Sequence, residues 1–413
     1  MAVLAVCLKF AFKYCEQWLV RRAIYAAADD DFDKAIRSFD YAIRLNGKDA
    51  GLYNDRGNTH RLRAYMTGNG FDYEQAIADF NKALSLNPKL PVAFLAYKNL
   101  GYIYQERANL NWSISDDDKA VLNFTKALSL GPVDASTYEA LGNAYAQRGN
   151  FAGVADDYDS AIENYTKALS LDPKKADAYR DRAAAYSARG DFADAIADLD
   201  EAIRLNPNSM ASYIGRGMLY DDAGYYDRAI ADFDQAILLA PQNIAGYEDR
   251  GVTYKHKRDY DRAIADFTEA ICLVPNDVSA YVDRGNAYAA NGKYDKAIDD
   301  YSAGMRIAPN VAQPYNELAW VFATCIQSRF CDGVSAINYA KHACELTDWK
   351  WPGYIDTLAA AYARAGDFEE AIRWQEIYLQ TPDLTNVDRI EGTLRLTLYH
   401  DGKPYVDDIR EKR

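Results

Sequence analysis

Histidine is scarce: four residues in 413, spread far apart at His60, His256, His342 and His400. No HExxH helix, glycine-rich phosphate loop or nucleophile elbow accompanies them. Nothing in the chain gathers titratable groups for catalysis, and neither an enzyme activity nor a metal or cofactor is expected. Cysteine is also sparse, with Cys7, Cys15, Cys272, Cys325, Cys331 and Cys344 and no CxxC pair. That leaves a zinc ribbon or thioredoxin-like motif unsupported. The thiols read as reduced, although the crowding of Cys325, Cys331 and Cys344 allows a disulfide if the protein is exported. Long apolar runs are missing too. Lys9 and Lys13 interrupt the apolar start, so no membrane span is expected. No basic segment precedes Ala2 to Leu8, so Leu4-Ala5-Val6-Cys7 is not expected to act as a lipoprotein signal. The chain reads as cytoplasmic, or as exported if its true start lies upstream. Basic charge falls short as well: 47 Lys and Arg against 61 Asp and Glu, for a net charge of −14. Such a body repels phosphate backbones, which argues against nucleic acid as a partner.

Periodicity is what the chain has in quantity. Tyr179, Gly190, Ala195, Ala202 and Pro207 recur as Tyr213, Gly224, Ala229, Ala236 and Pro241. They recur again as Tyr247, Ala263, Ala270 and Pro275, and as Tyr281, Gly292, Ala297 and Pro309. A repeat of roughly 34 residues is one supersecondary unit that buries its apolar face only by stacking on its neighbours. Within a copy, Tyr179, Arg182, Ala183 and Tyr186 share one helix face, and Ala195, Leu199 and Ala202 share another. Gly190 suits a helix end, Asp191 the next N-cap, and Asn206-Pro207 a stop.

This order of aromatic, small residue, tyrosine, glycine, alanine and proline resembles the tetratricopeptide repeat family, over nearly the whole chain. The resemblance implies an all-α, right-handed α-solenoid of about ten helix–turn–helix units with a C-terminal capping helix. Its inner groove, lined by the first helix of each unit, would bind a peptide or partner protein. An N-terminal apolar helix or cap is expected at 1–15 and the solenoid at 16–384. Its units lie near 16–49, 50–90, 91–134, 135–175, 176–209, 210–243, 244–277, 278–311, 312–350 and 351–384. A capping helix, from Asp383 to Tyr399, and a tail fill 385–413. On the family's pattern the fifth and ninth residues of the first helix face the groove, which places Ile214, Met218, Val252, Val282 and Trp320 there. Lys255, His256, Asn286 and Asn316 stand beside them. An apolar strip flanked by amides suits a peptide, and packing on the next unit is the competing explanation. The lysine–asparagine clamp of the chaperone-binding members is not matched. Asp55, Asp181, Asp249, Asp283 and Glu317 occupy the sixth position instead, favouring a basic ligand or merely solvating the face. Stretches such as Ala343-Cys344-Glu345-Leu346 and Gly402-Lys403-Pro404-Tyr405 are similar to the ends of many bacterial members. Self-assembly is the second functional expectation, with a homo-oligomer formed through the N-terminal end, where Phe10, Phe12, Tyr14 and Trp18 cluster.

Two further patterns carry structural expectations. Arg182, Arg216, Arg250 and Arg284 each precede by sixteen residues an aspartate, at Asp198, Asp232, Asp266 and Asp300. Arg56 and Asp79 fit once an insertion is allowed. Where the arginine becomes Leu100 or Leu141, the aspartate becomes Asn123 or Asn164. This covariation within one chain predicts a ladder of paired charges between helices. The insertion itself recurs: nineteen residues separate Gly57 from Ala76, Gly101 from Ala120 and Gly142 from Ala161, against twelve from Gly217 to Ala229. Seven residues is about two helical turns, so each hairpin grows by about one turn per helix, or part of the excess is loop, as Asn109 to Asp116 suggests. The longer tips are either a docking ridge or neutral growth at a tolerant site. The sequon at Asn111 falls in that expected loop.

Overall fold

The computed structural model describes residues 2–89, 91–111, 113–131, 133–382 and 384–407, without the side chains of 2–12 and 14. Leu90, Trp112, Pro132 and Asp383 lie outside the described residues, as do the side chains of Phe10, Phe12 and Tyr14, which leaves the N-terminal assembly expectation without a structural reading. The chain divides into two compact units, Met1–Pro207 and Asn208–Arg413.

The first unit pairs consecutive helices: α1 (Ala2–Ala28) with α2 (Phe32–Leu45), α3 (Ala50–Thr67) with α4 (Gly70–Leu86), and α5 (Val92–Asn111) with α6 (Ile114–Leu130). Then come α7 (Ala135–Ala152) with α8 (Ala155–Leu171) and α9 (Ala176–Arg189) with α10 (Phe192–Leu205). The second unit pairs α11 (Met210–Asp222) with α12 (Tyr226–Leu239), α13 (Ala245–His256) with α14 (Tyr260–Leu273), and α15 (Val278–Ala290) with α16 (Tyr294–Ile307). It ends with α17 (Ala312–Thr324) and α18 (Gly333–Leu346), α19 (Pro352–Ala365) and α20 (Phe368–Leu379), and α21 (Asn386–His400). A 3-10 turn, Ser328–Phe330, sits between α17 and α18. Among the described residues every regular element is helical, and no helix is long and apolar enough to cross a membrane.

Among the described residues one rule builds six of the hairpins, α3–α4 to α7–α8 and α11–α12 to α15–α16. The second helix sends an aromatic ring against a glycine of the first, because no side chain fits between them. A Cβ on Gly251 would sit 2.8 Å from the Phe267 ring, and one on Gly285 would sit 2.6 Å from the Tyr301 ring. Where the second helix carries the smaller Leu199, the first helix carries Ala183, and both are buried. Alanines at 76, 83, 195, 202, 263 and 270 are wholly buried and let the helices approach.

The arginine–aspartate ladder is present. Arg56, Arg182, Arg216, Arg250 and Arg284 each grip both oxygens of Asp79, Asp198, Asp232, Asp266 and Asp300, through Nε and a terminal nitrogen, at 2.6–2.9 Å. The remaining terminal nitrogen reaches the preceding hairpin: Arg56 to Asp40 at 2.6 Å, Arg182 to Thr166 at 2.9 Å, Arg284 to Thr268 at 3.2 Å, and Arg250 to Asp234. Asn123 and Asn164, with no arginine opposite, bond to their own helices at Lys119 O and Ser160 O, both at 2.7 Å.

The seven extra residues of the second to fourth hairpins are helix. Helices α3 to α8 run 17 to 20 residues, where α9 and α10 have 14 each. A loop at Asn109 to Asp116 is therefore not found: α5 runs to Asn111 and α6 starts at Ile114, so the Asn111 sequon begins at a helix end. The added turns carry a second rung. Arg148 holds Asp157 at 2.6 and 2.8 Å and reaches back to Asp118 at 2.7 Å. Arg63 pairs with Asp72 and Asp33 in the same way, and Arg107 with Asp116 and Glu74. Arg63 follows Arg56 by seven residues, two turns along the same face.

The start of the chain differs from expectation. No break falls between an N-terminal helix at 1–15 and a first repeat at 16, since α1 is continuous over 27 residues. Leu19, Ala23 and Ala26 are buried, while Trp18 is 53% exposed.

Candidate functional site

The nine expected groove residues all lie in the second unit, and four of them converge. Lys255 and His256 close α13, Asn286 stands on α15 and Trp320 on α17. Together with Tyr294, Glu317 and Thr324 they line a cleft of about 360 Å³. The first helices of successive hairpins supply the walls, and their caps set where each begins. Asp277 accepts from the backbone N–H groups of Ser279 and Ala280 to start α15.

The other five fall elsewhere. Val282 is 1% exposed in a core cluster with Tyr301 and Leu318 and does not line the cleft. Asn316 is likewise buried at 8%. Val252 packs against the cluster of Tyr254 and Phe267. Ile214 is half-buried and Met218 exposed on α11, and neither lines the cleft. Packing on the neighbouring hairpin takes these positions where the facing helix comes close, and spacing along one helix does not reveal that approach.

Of the three basic residues that line the cleft, Lys255 and His256 face acids, and Arg258 is the third. Lys255 Nζ lies 2.9 Å from Asp283 Oδ1, and His256 Nδ1 lies 2.8 Å from Asp221 Oδ2. Asn286 Oδ1 accepts from the Tyr301 hydroxyl at 2.7 Å. Further acids gather behind these bases. Burial, reinforced by Asp221, pushes the Asp249 carboxyl up to about 6. Burial, with Asp277, Asp249 and Asp283 behind it, pushes Glu248 up to about 7. Burial raises Glu317 as well. Asp221 Oδ1 and Asn316 Oδ1 are buried acceptors without a hydrogen-bond donor. Glu317 lines the cleft, Asp283 and Asp221 contact its Lys255 and His256 from behind, and Asp249 lies near Asp221. The sixth-position acids Asp249, Asp283 and Glu317 are partly buried, and Asp283 adds to the effect of burial on Glu317.

The chain's own C-terminal segment contributes the last wall. The backbone N–H of Asp407 donates to Thr324 O at 2.9 Å, and Asp407 lines the cleft. The Tyr405 ring lies 6.0 Å from Trp320, and Arg395 sits over both rings, 5.8 Å from Trp320 and 5.4 Å from Tyr405. Arg364 holds this segment through Tyr405 O at 3.3 Å and bonds Ala323 O at 2.5 Å. Sequence reasoning missed Asp221, Tyr294, Cys325 and Asp407; only the Gly402-Lys403-Pro404-Tyr405 stretch signalled that the tail matters. Among the described residues no group of three His, Cys, Asp or Glu side chains is placed to hold a metal ion.

Stacked helical hairpins with a lined cleft and paired charges between helices define an α-helical repeat protein of the scaffold class. Tetratricopeptide-repeat family models match residues 68–90, 155–215, 211–243 and 248–312. The chain is a tetratricopeptide-repeat protein. It is 31% identical over 90 residues to the photosystem I assembly protein Ycf3 of Prochlorococcus marinus strain NATL2A, across 22% of this chain and 48% of that one. It thus spans about half the length of that curated relative. It is 39% identical over 77 residues to the SGT1 homolog of Oryza sativa subsp. japonica, across 19% of each. The solved structure of yeast Tom70 superposes with a TM-score of 0.50 at 18% identity, over 94% of this chain and 96% of that one, a likeness of fold. Repeats of this kind generally form protein-interaction scaffolds, typically without enzymatic activity.

Proposed function

We propose that the cleft bordered by α13, α15 and α17 binds an extended, basic segment of a partner protein. The observation that carries this reading is the set of acids gathered on and behind the cleft wall, Glu317, Asp283, Asp221, Asp249 and Glu248. Burial raises Glu248 and Asp249, reinforced by Asp277, Asp249 and Asp283 for the first and by Asp221 for the second, while Lys255 and His256 face Asp283 and Asp221 and leave Arg258 as the remaining base of the cleft. A lysine or arginine side chain of a partner relieves that charge and supplies the donor that Asp221 Oδ1 lacks. The path of the tail supports an extended ligand, since Tyr405 stacks beside Trp320 and the Asp407 N–H meets a free helix-end carbonyl. The part of Ycf3 that matches belongs to a protein named for assembly, a role in keeping with holding another chain.

The test is peptide binding by fluorescence polarisation, using extended peptides of one length with Lys and Arg either present or replaced by Glu. Basic peptides should bind and acidic ones should not. Glu248→Gln combined with Asp249→Asn should weaken the basic peptide by about tenfold, the value of roughly 1–2 kcal/mol of charge-assisted contact. Binding should strengthen from pH 5 to pH 8, as Asp249 near 6 and Glu248 near 7 lose their protons. Equal binding of both peptide sets, or an unchanged affinity in the double variant, removes the reading.

A further inference from the structure

The loop between α17 and α18 brings Cys325 and Cys331 together. Their sulfur atoms lie 2.6 Å apart, with no other group between them. The 3-10 turn at Ser328–Phe330 folds the six-residue segment back on itself, and Cys331 Sγ also contacts Cys325 O at 3.0 Å. Cys325 is 3% exposed and Cys331 is partly exposed. The loop is tied to its surroundings: Gln327 Nε2 donates to Gly292 O at 3.1 Å, and the Phe330 ring lies 5.8 Å from Tyr294. Cys325 and Tyr294 both line the cleft. Cys344, the third thiol of this region, belongs to a separate cluster with Ile355 and Tyr378.

We infer that Cys325 and Cys331 form an intrachain disulfide that closes this loop and pins one wall of the cleft. The oxidant is a disulfide of the glutathione type. The thiolate of Cys331, the more accessible of the two, attacks one sulfur of the reagent and releases its first thiol. Cys325 then gives up its proton and attacks the Cys331 sulfur, releasing the second. Two protein thiols become one disulfide, one reagent disulfide becomes two thiols, and the two protons end on those thiols. Burial pushes the Cys325 thiol up to about 12, so the second step accelerates as pH rises. A metal alternative gains nothing here, because no third ligand stands near the pair among the described residues.

The full chain is incubated with oxidised glutathione, denatured, alkylated and cut with trypsin. Cleavage after Arg329 separates the two cysteines, so peptides 307–329 and 330–341 stay joined only through the bridge. The expected result is that joined pair, two hydrogens lighter than the sum of its parts, with Cys272 and Cys344 alkylated. Recovery of Cys325 and Cys331 in separate alkylated peptides, as abundant as alkylated Cys344, overturns the inference; so does a bridge from either one to Cys344. Oxidised wild type should also melt roughly 2–6 °C above reduced wild type. Cys331→Ser should show no such gap, and a gap of equal size in that variant counts against the bridge. Neither readout depends on any ligand, so both stand apart from the peptide-binding reading.

Discussion

Each ladder arginine is held from three sides. Arg250 lies beneath Tyr247 at 5.9 Å, grips both oxygens of Asp266, and reaches Asp234 of the preceding hairpin. Asp266 is buried, and burial raises its carboxyl while Arg250 draws it down. Removing the arginine alone strands that carboxylate. Arg250→Leu should therefore cost about 3–5 kcal/mol in chemical denaturation, and Arg250→Leu with Asp266→Asn distinctly less. The chain already carries that exchange at Leu100 with Asn123 and at Leu141 with Asn164, where the amide turns to its own helix. Asp117 is the opposite case, a carboxylate without a hydrogen-bond partner among the described residues, with Arg148 drawing it down only through its charge. Both of its oxygens are buried and unbonded, and burial, Asp118 and Asp116 push it up to about 6. A raised acid binds more protons folded than unfolded between its ordinary value of 3.8 and 6, so stability falls as pH climbs through that window. Asp117→Asn should gain about 1–2 kcal/mol at pH 7, and the gain should vanish below about pH 4, measured by urea denaturation.

Among elements, the hairpin turns show how one backbone demand is met by different residues. Gly190, Gly224 and Gly292 take a positive φ between paired helices, at +91°, +76° and +74°. The turn between α13 and α14 makes the same left-handed step with Arg258, at φ +60°. A side chain there costs about 1 kcal/mol relative to glycine. Arg258→Gly should raise the melting temperature of the full chain by about 1 °C, read by circular dichroism. The lengthened hairpins obey another element-level rule. Seven residues divide into about one turn for each helix, so the buried face returns to register, and the added turns fill the new position with the same ion pair. Arg63, Arg107 and Arg148 make those tips rigid helix, and the heptad from Arg56 to Arg63 was the available signal.

At the scale of the molecule, charge of one sign dominates: −14 over 413 residues. On the proposed function, such a field speeds the approach of a basic segment before any contact forms. Stopped-flow association of a basic peptide should slow as salt rises from 50 to 500 mM, with dissociation changing much less. An association rate independent of salt would place the recognition in apolar contacts alone.

Repetition made the helix pairing legible without coordinates. A period of about 34 residues specifies which face of each helix is buried, and covariation between copies identified partners sixteen residues apart. Those relations are local to one hairpin, so spacing suffices for them. The cleft is different in kind. Val282 and Asn316 occupy positions equivalent to groove residues yet are buried, because burial depends on how closely the next hairpin approaches. Lys255 and His256 were legible as polar groups beside the groove, but not as bases neutralised by Asp283 and Asp221 on other helices. The tail at Tyr405 and Asp407 reaches Trp320 and Thr324 across more than eighty residues of chain, a distance over which no periodic pattern operates. Pairing within a repeat is thus written in its period, whereas accessibility and charge balance at the cleft arise only when separate repeats and the tail meet in space.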